Sequence, residues 1–272
     1  MQLDTKQAQQ GPGRTGDAYF REYVRFSPIA HAISRAIEAR HLGTVEQKAP
    51  MLDIGCGFGE FGRPFFRIPV DAGVDIRRFD LTRRLPGVYR SVVWCDARKM
   101  PLASDSFETI FSVSVLEHIP DVQRVLEEAA RVLRPGGTFA LTVPTEAVSR
   151  MWAVPRMLSA VGLSRIGRAY ADRLNKTWDH FNLWTGDEWA SRIKSCGLLV
   201  ETCKPIMSAR ATATFDLMLP TALPSQIGRL VTKKRFVHRP PGMVEMLTSR
   251  FARLVNEEER EGSNLFIVAR KP

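Results

Sequence analysis

The residue types best suited to chemistry cluster in one stretch, Met51-Leu52-Asp53-Ile54-Gly55-Cys56-Gly57-Phe58-Gly59-Glu60-Phe61-Gly62. An apolar run that opens into closely spaced glycines allows left-handed turns and lets a ligand approach bare backbone ahead of a helix N-terminus. Asp75 falls twenty residues after Gly55, at the end of the next apolar run, where a carboxylate can accept hydrogen bonds from both hydroxyls of a ribose. The ligand implied is nucleotide-like. Two chemistries fit the glycines alone, because Gly57, Gly59 and Gly62 also satisfy the dinucleotide spacing GxGxxG. Asp53, two residues before Gly55, can hold an ammonium and would repel a pyrophosphate, which favours a ligand without one.

Taking a proton from an acceptor calls for a group that titrates near neutrality, and histidine suits that task. His118 lies in Leu116-Glu117-His118, and His180 lies in Trp178-Asp179-His180-Phe181-Asn182, ahead of a helix start at Thr185. His180 is the better placed of the two for a general base, although both positions also fit plain packing or capping at a strand-to-helix turn. Tyr19 and Tyr23 can close over a ligand or bury an aromatic stripe against a sheet. No histidine, cysteine or carboxylate cluster has metal-ligand spacing, and the four cysteines (Cys56, Cys95, Cys196, Cys203) form no CxxC pair. Neither a metal site nor a disulfide framework is expected.

The elements that must position these residues follow from periodicity. Met51–Ile54, Val70–Ile76, Ser91–Cys95, Thr109–Val115 and Thr138–Val143 read as buried strands, with Leu198–Thr202 and Leu265–Ala269 as two more. Tyr19–His41 has helical spacing broken at Ser27-Pro28, and Val122–Leu133 puts Val122, Val125, Leu126, Ala129 and Leu133 on one face. Thr185 and Glu188 form a capping-box pattern for a helix over Thr185–Ser195. Arg134-Pro135-Gly136-Gly137 reads as the turn between the Val122–Leu133 helix and the next strand. Strands alternating with helices imply a parallel sheet.

These blocks, in order, resemble the class I S-adenosylmethionine-dependent methyltransferases, in the branch acting largely on small molecules. The matching pieces are LDIGCGFG (52–59), GVDI (73–76), CDARKMPLASDSFETIFSVSVLEHI (95–119) and RVLRPGGTFALTVP (131–144). The resemblance implies a doubly wound, Rossmann-like α/β fold with a mostly parallel seven-stranded sheet and an antiparallel last strand. It further implies S-adenosylmethionine as cofactor, with Gly55, Gly57 and Gly59 looping over its methionine part and Asp53 near its amino group. Asp75 would bind the ribose, Asp96 the adenine amino group, Ala97 the ring through its backbone N–H, and Ser112 the methionine end through its backbone. The domain plan is a disordered tail (1–16), a helical lead-in (17–49), the cofactor-binding core (50–148), a helical cap (149–184) and a C-terminal part of the sheet (185–272) with a basic insert at 204–263.

The 272 residues, 44% hydrophobic and 25% charged, have the composition of a globular protein and exclude extensive disorder. The first sixteen residues have no apolar stretch for a signal peptide, so a cytoplasmic protein is expected. Of the net charge of +10, residues 150–240 hold most, with fifteen Lys and Arg against six Asp and Glu. Arg150, Arg156, Arg165, Arg168 and Arg173, together with Lys233, Lys234, Arg235 and Arg239 and the apolar Leu217, Met218, Leu219 and Phe236, predict peripheral contact with an anionic membrane surface or a lipid-linked substrate. A solvated basic lid over a small-molecule pocket fits the same residues. Methyl transfer to an oxygen of a small metabolite, glycan or lipid-linked acceptor is the leading function, and nucleic acid is not the expected partner. The rivals are a non-catalytic binder on the same fold and a nicotinamide-dependent oxidoreductase using Gly57, Gly59 and Gly62. Oligomeric state has no signal here.

Overall fold

The computed structural model describes residues 14–222, 239–258 and 260–272. The basic run Lys233 to His238 and most of the expected tail lie outside the described residues. The strands are β1 (Met51–Ile54), β2 (Val70–Asp75), β3 (Tyr89–Trp94), β4 (Phe107–Val113), β5 (Leu133–Pro144), β6 (Leu199–Ile206) and β7 (Asn264–Arg270). They form one seven-stranded sheet in the order β3-β2-β1-β4-β5-β7-β6. All neighbours from β3 to β5 are parallel, while β7 runs antiparallel to both β5 and β6. The last strand is therefore inserted between two others, leaving β6 at the edge.

Alternation along the strands divides the core between two faces. Met51, Val70, Phe111, Val113, Ala140 and Phe266 point to one side, where helices α1 (Gly16–Val24) and α2 (Ile29–Leu42) pack with Tyr19, Phe20, Tyr23, Ile33 and Ile37 fully buried. Leu52, Ile54, Ile110, Phe139, Leu141 and Ile267 point to the other. Between the faces in sequence come two short helices, α3 (Gly62–Phe65) and α4 (Arg78–Leu81), and then α5 (Val122–Val132), whose buried Val122, Val125, Leu126 and Ala129 share the predicted stripe. Tyr19 and Tyr23 take the buried option, Tyr23 donating to the Phe61 carbonyl at 2.8 Å.

After β5 the chain forms the cap helices α6 (Ala147–Met151), α7 (Ala153–Ala160) and α8 (Ser164–Thr177), held by a small core of Val148, Trp152 and Ala171. α9 (Gly186–Ser195) then returns to the second face with Trp189 and Ile193 buried. Beyond β6, α10 (Ala209–Met218) and α11 (Pro241–Val255) cross to the first face. Asn256 ends α11 by accepting the Gly16 N–H at 2.7 Å, and Arg40 donates to the carbonyls of Asn256 and Glu257, both at 2.9 Å. The region expected as an insert thus roofs the N-terminal helices.

Two sequence readings change. Arg134 to Gly137 do not precede β5; Phe107 pairs with Leu133 and Thr109 with Thr138, so the four residues bulge from within the strand, with Gly136 at φ 77°. β6 also extends past Thr202 to Ile206, because β7 pairs with it along its length.

The capping box is present in full: Thr185 Oγ1 accepts the Glu188 N–H at 3.2 Å and the Glu188 carboxylate accepts the Thr185 N–H at 3.1 Å. Thr185→Ala is expected to destabilise the chain by about 1 kcal/mol, read as a fall in Tm of about 2–4 °C in thermal unfolding. An unchanged Tm would mean that α9 is fixed by its buried face alone.

Candidate active site

β1 runs straight into the glycine loop. Gly55, Gly57 and Gly59 have φ of 79°, 51° and 88°, the left-handed region that excludes most side chains. A Cβ on Gly55 would sit 2.3 Å from Val115 Cγ2, so that glycine is demanded by close packing, whereas a Cβ on Gly57 would meet nothing within 4 Å. Gly57 therefore presents bare backbone to open space. Gly62 lacks a left-handed φ and packs against Phe66 and Val88.

Asp75, at the end of β2, fixes the loop from the neighbouring strand. Its Oδ2 accepts the Gly57 N–H at 2.8 Å and its Oδ1 accepts the Arg77 N–H at 2.7 Å. Each oxygen retains a lone pair, the geometry needed for a vicinal diol. Beside it lie Ile76, 62% exposed, and Trp94, 60% exposed, whose indole N–H donates to the Ile76 carbonyl at 2.9 Å. This apolar shelf next to an acid suits a flat base over a sugar. Sequence reasoning missed both residues; their signal was an apolar side chain at a strand end with nothing left to pack on.

Asp53 is only 5% exposed and accepts the Tyr89 O–H at 2.6 Å. Burial pushes its carboxyl up to about 7, against the pull of the Tyr89 hydrogen bond. A cation brought beside it would restore the carboxylate. Asp96 is held differently: Arg98 grips it with Nε and Nη2 at 3.1 and 2.6 Å, and those bonds keep its carboxyl below the usual range. It also accepts the Arg98 N–H at 2.9 Å, a local turn. Ala97 packs half-buried against the second-face core. Ser112 lies inside the sheet, paired with Ile54 and Leu141, with its hydroxyl donating to the Ile54 carbonyl at 3.2 Å. The segment that reaches the loop is instead Ser114-Val115, through the contact of Val115 with Gly55.

A buried acid from α2 holds that segment. Glu38, 1% exposed, accepts hydrogen bonds from Ser114 Oγ, from Thr142 Oγ1 at 3.1 Å and from Arg35 at 2.9 Å. It ties the C-terminal ends of β4 and β5 to the N-terminal helices. Sequence reasoning had no signal for it beyond a charge on an apolar helical face.

Past Val115 a single 3₁₀ turn carries Leu116, Glu117 and His118. Asn182 staples the cap loop to this turn by donating to the carbonyls of Leu116 and Ile119, both at 2.8 Å, while the Phe181 N–H reaches the Glu117 carbonyl at 2.8 Å. The result stacks His118 on His180 with ring centroids 5.2 Å apart. Burial pushes Glu117 up to about 8 and lowers His118; it also brings His180 down to about 4, with the neighbouring His118 adding to the fall. An imidazole that weakly basic is a poor acceptor for an alcohol proton, so the general-base role expected of His180 does not fit its surroundings.

A family model described as "Methyltransferase domain" matches residues 52–141. A ubiquinone biosynthesis O-methyltransferase of Chelativorans sp. is 27% identical over 196 residues, which cover 67% of this chain and 74% of that protein. The 27-O-demethylrifamycin SV methyltransferase of Amycolatopsis mediterranei is 35% identical over 103 residues, 34% of this chain and 37% of that one. Among solved structures, phosphoethanolamine N-methyltransferase 2 of Haemonchus contortus, bound to S-adenosyl-L-methionine, aligns with a TM-score of 0.54 at 20% identity, covering 94% of this chain and 56% of that chain. A Thermotoga maritima S-adenosylmethionine-dependent methyltransferase aligns with a TM-score of 0.54 at 17% identity, covering 90% and 92%; likenesses this distant establish the fold. The glycine loop, the acid that fixes it and the methyltransferase domain matched over residues 52–141 converge, and together they support a class I S-adenosylmethionine-dependent methyltransferase.

Proposed function

We propose that the protein transfers a methyl group from S-adenosylmethionine to an oxygen of a small, lipid-like acceptor. The observation that carries the donor half is the Asp75 carboxylate, held by two backbone N–H groups with Gly57 open beside it. The residues present fit the donor: Asp75 meets the ribose diol, Ile76 and Trp94 flank the base, and Asp53 lies under the loop for the α-ammonium. S-adenosylmethionine supplies an activated methyl on a sulfonium, and the chain's own residues align it for in-line displacement. The oxygen acceptor is supported by the names of two relatives, a ubiquinone biosynthesis O-methyltransferase and a 27-O-demethylrifamycin SV methyltransferase.

The surface of the cap suits such acceptors. Met157, Val161, Leu163 and Ile166 are 62%, 70%, 45% and 55% exposed and lie among the exposed Arg156, Arg165 and Arg168. Arg150, Arg156 and Arg168 also line a groove of about 530 Å³ between α6, α7 and α8. We take this patch as the contact with an anionic lipid surface. No helix among the described residues is long and apolar enough to cross a membrane, so the contact is peripheral. Arg239, expected to join it, is withdrawn from the surface: its guanidinium donates to the carbonyls of Val24 and, at 2.8 Å, Ser27.

Three outcomes are expected. Asp75→Ala removes charge-assisted bonds to the ribose and should weaken S-adenosylhomocysteine at least about tenfold in calorimetric titration; tight NAD binding with no response to the methyl donor would overturn the donor reading. Labelled methyl from the donor should appear in lipid extracts as an O-methyl product, and an N- or C-methyl product would overturn the oxygen assignment. In co-sedimentation, anionic vesicles should pellet the chain at low salt, and a variant with Arg156, Arg165 and Arg168 changed to Gln should lose about 3 kcal/mol of that binding. Equal recovery in every supernatant removes the membrane contact.

Asp53 gives a pH test with a defined sign. Its folded carboxyl, at about 7, stands above the unfolded value of about 3.9, so the folded chain holds the extra proton between them. The stability this contributes is present below pH ~4 and is lost as pH rises through ~7. Asp53→Asn should therefore raise the Tm of the ligand-free chain increasingly from pH 5 to pH 8 while weakening donor binding at pH 8. A Tm difference that does not change with pH would mean that Asp53 ionises normally.

A further inference from the structure

We propose that Glu117, His118 and His180 form a binding site for a divalent transition-metal ion of the Zn²⁺ class. Sequence spacing concealed this, because His180 comes from the cap and the other two from the turn after β4. The fold brings one ligand atom from each residue to within 4.8 Å of the others. His118 Nε2 stands 3.6 Å from Glu117 Oε1, while Glu117 Oε2 is buried with no hydrogen-bond partner among the described residues, in a residue only 2% exposed. A buried carboxyl oxygen left without a partner is costly, and a cation held by the in-plane nitrogens of the two imidazoles would satisfy it.

The surroundings of the rings match those of metal-binding imidazoles. His180 Nδ1 lies 3.0 Å from Asn175 Oδ1, and Asn175 in turn donates its amide nitrogen to Ser149 Oγ at 2.8 Å, which turns Oδ1 toward the ring. The proton of His180 therefore belongs on Nδ1, leaving the Nε2 lone pair for an ion. The backbone of Asp179 and Trp178 lies on the His118 ring and favours its protonated form, partly offsetting the effect of burial. His180 thus carries the outer-shell partner that fixes ring orientation in metal sites.

Two imidazoles and one carboxylate select a borderline ion, with Zn²⁺, Co²⁺ or Fe²⁺ preferred over Mg²⁺ or Ca²⁺, whose ligands are nearly all oxygen. Metal–ligand distances of about 2.1 Å in a tetrahedral site place donors ~3.4 Å apart, so the trio must close by up to about 1.4 Å. His118, on a one-turn 3₁₀ segment and 39% exposed, can supply that movement. Three protein ligands leave a coordination position open. On the methyl-transfer reading above, an ion held there would acidify a hydroxyl bound in that position.

The test uses the full chain, stripped with chelator and without methyl donor, so its outcome is independent of the Asp75 titration. Equilibrium dialysis should find one Zn²⁺ per chain at this site, with affinity weakened at least about tenfold in both Glu117→Gln and His118→Gln; the second substitution sits at a half-exposed position, which keeps the fold. Zn²⁺ should raise the Tm of the wild type and not of either variant. Co²⁺ should give d–d bands without the thiolate charge-transfer band that Cys203 or another cysteine would produce. Unchanged Zn²⁺ binding in the variants, a thiolate band, or equal binding of Mg²⁺ would each overturn the proposal.

Discussion

A carboxylate that accepts hydrogen bonds from two backbone amides on separate segments fixes both segments relative to itself. Asp75 does this for Gly57, in the loop after β1, and for Arg77, at the turn after β2. The glycines supply the left-handed geometry, but without an anchor such a loop has many conformations of similar energy. The parallel pairing of β1 with β2 sets the anchor's height, since Ile54 lies opposite Val74 and Asp75 is the next residue. The position of the loop's anchor therefore descends from sheet register.

The other half of the cleft depends on a second buried acid. Glu38 reaches from α2 to Ser114 and Thr142 and so sets where β4 and β5 release the chain. From that point Val115 turns onto Gly55 and the Glu117-His118 turn comes to rest under the Asn182 staple. The N-terminal helices are thus part of the site's architecture, and α11 locks them in turn through Asn256 and Arg40. Removing a partner from such a buried polar network leaves the rest unsatisfied, at a cost exceeding that of any one bond.

Legibility in the sequence followed the range of the forces involved. The strands, the α5 stripe, the Thr185 capping box and the glycine loop are specified by residues a few positions apart, and periodicity exposes them. Arg239 was unreadable as a strut because its carbonyl partners, Val24 and Ser27, are more than two hundred positions away. The stacking of His118 on His180 was hidden for the same reason, as was the fit of Glu38 beneath two strand ends. The basic composition of the cap was plain, yet which of its apolar residues face outward depended on how α7 and α8 pack on Trp152. The acids of the cofactor loop came from ordered motifs, whereas their ionisation came from burial, which no motif records.

The account stands or falls on the donor lying over the loop that Asp75 holds. Hydrogen–deuterium exchange of the chain with and without S-adenosylhomocysteine measures this directly, because a bound ligand slows exchange of the amides it covers or locks. The account predicts protection concentrated in three segments that are distant in sequence, Gly55–Gly62, Asp75–Phe79 and Asp96–Lys99, with little change in α7 and α8. Protection confined to the cap, or none at saturating ligand, would contradict it.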